Sequence, residues 1–445
     1  MKKIYQKTSV IFVIILFLSS PIILSTSNNT LSNQSYSEPI QEIRFNMDPD
    51  PKIVAAIEMI NESYLIEILT ALTVNIGPRR TGTYGCEEAA KYLYKELESK
   101  GLKTRYHEWS KLMGKLRKLR FFDSENVEAT IPGKGDLSDE LVIVNAHYDT
   151  VEISPGAVDD GSGVAAVVAA ANALNHFEFN RTLIFVMFSG EEVGLLGSSA
   201  YVQELYKNGT DILAEFNADM VGVPNEAHTI RISTSDDVDW IFDEIEIVNE
   251  IYDIGLDVSR AGRINTSNER GYSDYWDFLL HGYECVAFWQ SGGSPYGHSP
   301  DDTIDKVNFS YLVNVTKLIA ATLAHIADIE VYYPQIAIES PKRGRTYLDD
   351  LTLRKYKYLK TLVFDDVLIC TNVKQGSVPI EKVEFYYDGE LMFTDTEEPY
   401  QWRLNKFSLI KKHAVKVILY DELGRKAQDK IVFRYINIRL DIKVV

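Results

Sequence analysis

Five side chains able to hold a metal ion lie far apart in the chain, each inside its own short signature. They are His147 in Val-Asn-Ala-His-Tyr-Asp, Asp159 in Gly-Ala-Val-Asp-Asp-Gly-Ser-Gly, and then Glu192, Asp219 and His298. Two imidazoles and three carboxylates suit Zn²⁺, which takes nitrogen and oxygen ligands and, in catalytic sites, leaves a position for water or substrate. With one carboxylate bridging, each of two ions gains three protein ligands and a shared water fits between them. Two cations about 3.5 to 4 Å apart lower the pKa of such a water and stabilise the oxyanion formed when it attacks a carbonyl. Glu191, beside Glu192, is the expected general base, with Glu192 the ligand. Adjacent strand residues point to opposite faces, but both reach one site where a strand runs out into a turn.

Taken singly these motifs are weak. A lone His-x-Asp or Glu-Glu is more often a solvated strand end or a helix first turn, where acidic groups suit the dipole. Asp160 is read as the N-cap of a helix beginning near Gly161 rather than as a ligand. The full set, running in order from Pro78, Arg79 and Arg80 to Asp302 and Thr303, resembles the di-zinc aminopeptidases of peptidase family M28, the group of secreted leucyl aminopeptidases and glutaminyl cyclases.

The resemblance implies two Zn²⁺ ions per chain, with Co²⁺ or Mn²⁺ as alternatives. One would be held by Asp159, Glu192 and His298, the other by His147, Asp159 and Asp219, with Asp159 bridging. Asp149 would orient the first histidine. It also implies hydrolysis of the N-terminal peptide bond of peptides or proteins. A Tyr or Arg near the Ser273-Asp274 pair would polarise the carbonyl, and Tyr272 is favoured over Arg270. Two other functions compete: a glutaminyl cyclase, and a non-catalytic cell-surface binding protein on the same scaffold. Both His147 and Asp219 are retained beside Glu191, which favours hydrolysis.

The elements needed to position these residues are legible. Residues 140–145 form a short, nearly continuous apolar run, the pattern of a strand buried on both faces, and place His147 just past its end. Residues 181–188 form a second such strand, leading to Glu191 and Glu192, and residues 214–219 and 284–290 repeat the idea. Residues 164–174 are dense in Ala and Val and read as a buried helix; 238–254 and 311–329 show helical apolar spacing. Alternating strands and helices predict an α/β fold with a mainly parallel central sheet flanked by helices, whose site lies at the strand C-termini.

The chain has 445 residues, 45% hydrophobic and 25% charged, ordinary for a globular protein of two domains. A net charge of -18 argues against nucleic-acid binding, which needs a basic surface. The one basic cluster, 111–120, is expected to be a solvated surface hairpin or helix. Residues 1–27 read as a signal peptide or signal anchor, a possible membrane tether, from their basic start and apolar stretch. Residues 28–50 read as a flexible linker, and 51–332 as the peptidase domain.

Beyond Pro334, short alternating stretches with turn signals predict a C-terminal antiparallel β-sandwich over 335–445. It resembles the immunoglobulin-like modules of secreted microbial hydrolases, with a partner the sequence does not name. Three cysteines, Cys86, Cys285 and Cys370, are too few for a disulfide scaffold. The signal-like N-terminal segment makes the expected setting secreted or cell-surface associated.

Overall fold

The computed structural model describes residues 48–115, 118–223, 228–235, 239–264, 272–329, 334–355, 361–376, 378–422 and 425–437. The expected signal segment, most of the linker and Arg270 lie outside these residues. An eight-stranded sheet forms the first part, built from β1 (Lys103–Lys115), β2 (Lys118–Ile131), β3 (Leu141–His147), β4 (Thr182–Phe188), β5 (Ile212–Ala218), β6 (Thr229–Ser235), β7 (Asp257–Ile264) and β8 (Cys285–Gln290). Their order is β1-β2-β4-β3-β5-β8-β6-β7. The central strands β4, β3, β5 and β8 run parallel, and so do β6 and β7. Antiparallel pairings join β1 to β2, β2 to β4 and β6 to β8.

Burial explains the central strands. All seven residues of β5, and all but the first of β3 and β4, are buried. Helices cover both faces, so these strands are largely apolar instead of alternating, with Asn145, Glu215 and Asn217 polar side chains buried among them. One face carries α1 (Pro51–Glu58), α2 (Glu62–Thr70), α3 (Tyr84–Ser99), α4 (Gly161–Leu174), α6 (Asp239–Ile251) and α8 (Phe309–Asp328); the other carries α5 (Leu196–Asn208) and α7 (Tyr275–His281). Helix α4 shows no amphipathic period because 13 of its residues are buried, packed among α2, α8 and β3. Helix α8 is apolar and long enough to cross a bilayer but lies mostly buried in this core.

The basic stretch resolves as part of the β1–β2 hairpin, paired in continuous register from Lys103 opposite Thr130 to Lys115 opposite Lys118. Midway along it the Trp109 indole Nε1–H donates to Ser189 Oγ at 3.0 Å, bracing the turn that carries Glu191 and Glu192.

The C-terminal part is all β: a seven-stranded sheet and a three-stranded sheet enclosing a separate core. Val367, Ile369 and Leu404 from the smaller sheet meet Val383, Val417 and Phe433 from the larger. The expected antiparallel pairing holds for most of these strands, with one local exception. Strand Thr361–Phe364 enters between Arg345–Leu348 and Lys426–Asn437 and runs parallel to both. Cys86, Cys285 and Cys370 are all free thiols.

Candidate active site

Each proposed ligand emerges where a parallel strand ends. His147 is the last residue of β3, which runs two residues beyond the expected end at 145, and Asp219 directly follows β5. Glu191 and Glu192 lie in the turn after β4, Asp159 in the loop before α4, and His298 in the loop after β8.

Two groups of side chains converge there. Ligand atoms of Asp159, Glu192 and His298 lie within 4.8 Å of one another, as do those of His147, Asp160 and Asp219. Asp159 links the groups: its Oδ1 is 3.4 Å from His147 Nε2 and its Oδ2 is 3.3 Å from His298 Nε2. Glu192 Oε2 is 3.1 Å from His298 Nε2, and Asp219 Oδ1 is 3.8 Å from His147 Nε2. One carboxylate thus faces both imidazoles with separate oxygens.

Asp160 behaves as a cap. Its Oδ1 accepts the N–H groups of Gly163 and Met220, each at 3.0 Å, and its Oδ2 accepts that of His147 at 3.2 Å. The carboxylate ties the start of α4 to the ends of β3 and β5, its acceptors already engaged. Gly163 is needed for this closeness, since a Cβ there would lie 2.0 Å from the Ala218 carbonyl oxygen.

The histidine is oriented differently from expectation. His147 Nδ1 is 3.0 Å from the backbone carbonyl of Asp149 and 3.8 Å from its carboxylate. A carbonyl only accepts, so Nδ1 carries a hydrogen, and Nε2 is the ring nitrogen that faces Asp159 and Asp219 and is left for a metal ion. The fully buried Asp149 carboxylate accepts instead from the Glu191 N–H at 3.1 Å and the Thr81 hydroxyl at 2.6 Å. It positions the turn of the expected base.

Tyr272 is 73% exposed, and its backbone N–H donates to the Tyr275 hydroxyl at 3.4 Å. No hydrogen bond joins its side chain to a proposed ligand among the described residues.

Three residues not assigned roles from the sequence support the site. Asp302 is buried, and its two oxygens accept the Val158 and Asp159 N–H groups at 2.8 and 3.1 Å. Arg79 is buried, and its guanidinium donates to the carbonyls of Leu72, Gly77, Tyr148, Pro155 and Gly156, clamping the loop between His147 and Asp159. Burial lowers Arg79 to about 10. Asp274, also buried, has no partner for either oxygen among the described residues. The Pro-Arg-Arg and Ser-Asp signatures contain Arg79 and Asp274, but only the fold shows what they touch.

Electrostatics test whether cations fit. Burial, then the neighbouring Asp159 carboxylate, holds Glu192 up at about 7 against the pull of His147. Burial raises Asp219 to about 6 and Asp274 to about 7. Burial pulls His147 down, but its bond to Asp159 and the surrounding acids hold it well above its usual range. These carboxylates cannot all ionise together cheaply unless positive charge sits among them. Asp219 Oδ1 is moreover a buried acceptor with no hydrogen-bond partner among the described residues, as a ligand atom aimed at a cation would be. The donor set therefore fits metal.

Known proteins agree with this architecture. The profile of peptidase family M28 matches residues 126–323. Aminopeptidase YwaD of Bacillus subtilis is 30% identical over 208 residues, covering 45% of this chain and 44% of that protein. A probable leucine aminopeptidase of Arthroderma otae is 28% identical over 248 residues, covering 49% and 66%. The chain thus spans roughly half to two thirds of these relatives. Among solved structures, a zinc aminopeptidase from Bacillus subtilis superposes with a TM-score of 0.53 at 19% identity, over 60% of this chain and 96% of that one. A glutaminyl cyclase from Fimbriiglobus ruber reaches 0.50 at 18%, over 60% and 95%, so the fold alone does not separate the two chemistries. Residues 126–323 of this chain thus match peptidase family M28, and the sheet that carries them, with the site at its strand ends, has the fold of the zinc aminopeptidases.

Proposed function

We propose that this chain is a zinc-dependent aminopeptidase that removes the N-terminal residue of peptides, with two ions held by His147, Asp159, Glu192, Asp219 and His298. The observation that carries it is Asp159 facing His147 with one oxygen and His298 with the other. When bound, the metals would supply Lewis acidity toward the scissile carbonyl and toward a water.

The remaining work falls to protein groups. Glu191, its N–H fixed by Asp149, is the base that takes a proton from the attacking water and delivers it to the leaving amine. Burial, then the neighbouring carboxylates Asp274, Asp219 and Asp149, raises its proton affinity well above that of a free carboxylate against the pull of His147, which suits a group that must hold a proton between two steps. Asp302 and Arg79 keep the Asp159 loop in place, and the Asp149 carbonyl fixes the His147 ring. Tyr272 remains the proposed polariser of the carbonyl. The basic and then apolar start of the chain supports export, by cleavage or as a membrane tether.

The test combines metal content with turnover. The expected result is about two zinc ions per chain, chelator-sensitive cleavage of aminoacyl amides and no cleavage of N-blocked peptides. Glu191→Gln should keep its metal and lose roughly 10²- to 10⁴-fold in kcat. Near-normal turnover in that variant would refute the assignment of the base. Cyclisation of N-terminal glutamine without hydrolysis would refute the reaction.

A further inference from the structure

A cavity of about 320 Å³ is lined in part by Met220, Arg231, Trp289 and Gln290. Its size is at the small end for a ligand pocket, right for one amino-acid side chain. Met220 directly follows Asp219, and its carbonyl accepts the Gln290 N–H at 2.9 Å. The cavity therefore begins one residue from a ligand, where an N-terminal residue undergoing cleavage would project its side chain.

The walls are mostly apolar or already satisfied. Gln290 is engaged at both ends of its amide: Oε1 accepts the Val223 N–H at 2.6 Å, and Nε2 donates to the Gly293 carbonyl at 3.0 Å. The Trp289 ring packs edge to face with Tyr275, centroids 6.4 Å apart. Ala261 reaches the cavity at a bulge in β7, where the register steps from Ile232 opposite Arg260 to Ser233 opposite Gly262.

Arg231 is the exception. It sits directly opposite Trp289 across the β6–β8 pairing and is solvent-exposed. Among the described residues no carboxylate pairs with it. Its backbone lies two strand spacings from Met220, about 10 Å, so a guanidinium reaching inward and a substrate side chain reaching outward meet inside the cavity.

We infer that Arg231 makes this cavity a subsite for an acidic side chain, so that the enzyme prefers peptides beginning with Asp or Glu. This rests on the aminopeptidase reading above and adds the substrate class. A guanidinium offers parallel N–H donors matched to a carboxylate. An N-terminal Lys or Arg side chain would meet like charge there, while a neutral isostere would leave the guanidinium without its counter-charge.

The test uses the full zinc-loaded chain and two matched peptides, Asp-Ala-Ala and Asn-Ala-Ala, which differ in charge and hardly in size. The expected kcat/KM ratio is roughly tenfold to a hundredfold in favour of Asp, the range of a hydrogen bond to a charged group. In Arg231→Gln the ratio should collapse to about one, and Arg231→Lys should restore part of it. Melting temperature and zinc content establish that each variant is folded and loaded, and the wild-type ratio decides even if one variant fails to fold. A wild-type ratio near one, or a preference for Asp that survives Arg231→Gln, overturns the inference and leaves the aminopeptidase standing. Absence of cleavage of every free N-terminus tried, leucyl peptides included, overturns both.

Discussion

Asp302 lends itself to a quantitative test of how the site is held. It binds no metal by geometry, yet its carboxylate receives the N–H of Asp159, the residue facing both histidines, and that of Val158 before it. Asp302→Asn keeps the size and one acceptor oxygen, but it places an amide donor where the other N–H points. One hydrogen bond to a charged group is lost, at a cost of about 2 kcal/mol, which corresponds to about a 30-fold change in an equilibrium constant. That loss falls on metal affinity if the loop is ordered only when loaded, and on stability if it is ordered throughout.

Two measurements capture both possibilities: zinc titration in competition with a chromophoric chelator, and urea unfolding of the metal-free chain. The expected result is a 10- to 100-fold weaker zinc affinity, or an equivalent loss of unfolding free energy, in Asp302→Asn. Neither should change in the exposed neighbour variant Asp301→Asn. Wild-type zinc affinity together with wild-type stability in Asp302→Asn would refute the idea that this carboxylate holds Asp159.

Asp149→Asn should lower kcat more than zinc affinity, by roughly tenfold or more, because the lost charge supports the Glu191 N–H rather than the histidine ring; comparing kcat with metal content checks it. Arg79→Met should cost several kcal/mol of stability, seen in urea unfolding, because it strands buried carbonyls that now share one guanidinium. Glu215, buried on β5 and accepting from Asn145 Nδ2 at 2.5 Å, is raised by burial to about 8. A folded pKa above the unfolded value means its contribution is fully present below about pH 4.3 and is lost as pH rises through about 8. Glu215→Gln should therefore stabilise the protein at pH 9 by on the order of 4 kcal/mol and by much less at pH 5, in paired thermal melts.

The sequence carried the proposed ligand set because chemistry restricts residue type at a metal site far more than packing does. His147, Asp159, Glu192, Asp219 and His298 each stand beside a strand or turn signature that survives without a partner in view. The buried strands were equally legible, since an apolar run closed by polar residues is what a strand covered on both faces requires. What could not be read were contacts made by residues distant in sequence. Arg79 looks like any arginine until five carbonyls surround it, and Asp302 like a loop aspartate until two N–H groups point at it. The long β1–β2 hairpin was ambiguous for a related reason: its outer end packs on little, so composition rather than periodicity governs it.

The orientation of His147 shows how such supports divide the labour. A family pattern assigns Asp149 to the imidazole, and the chain does use Asp149, but through its backbone carbonyl. Backbone oxygen fixes the ring and leaves the carboxylate to tie Thr81 to the turn bearing Glu191. One residue thus couples the position of a proposed ligand to that of the proposed base. A substitution that preserves the backbone, such as Asp149→Asn, cuts only the second tie; displacement of the loop, as when Arg79 is removed, cuts both. Activity lost with metal retained in the first case, and metal lost with it in the second, is the pattern that this arrangement requires.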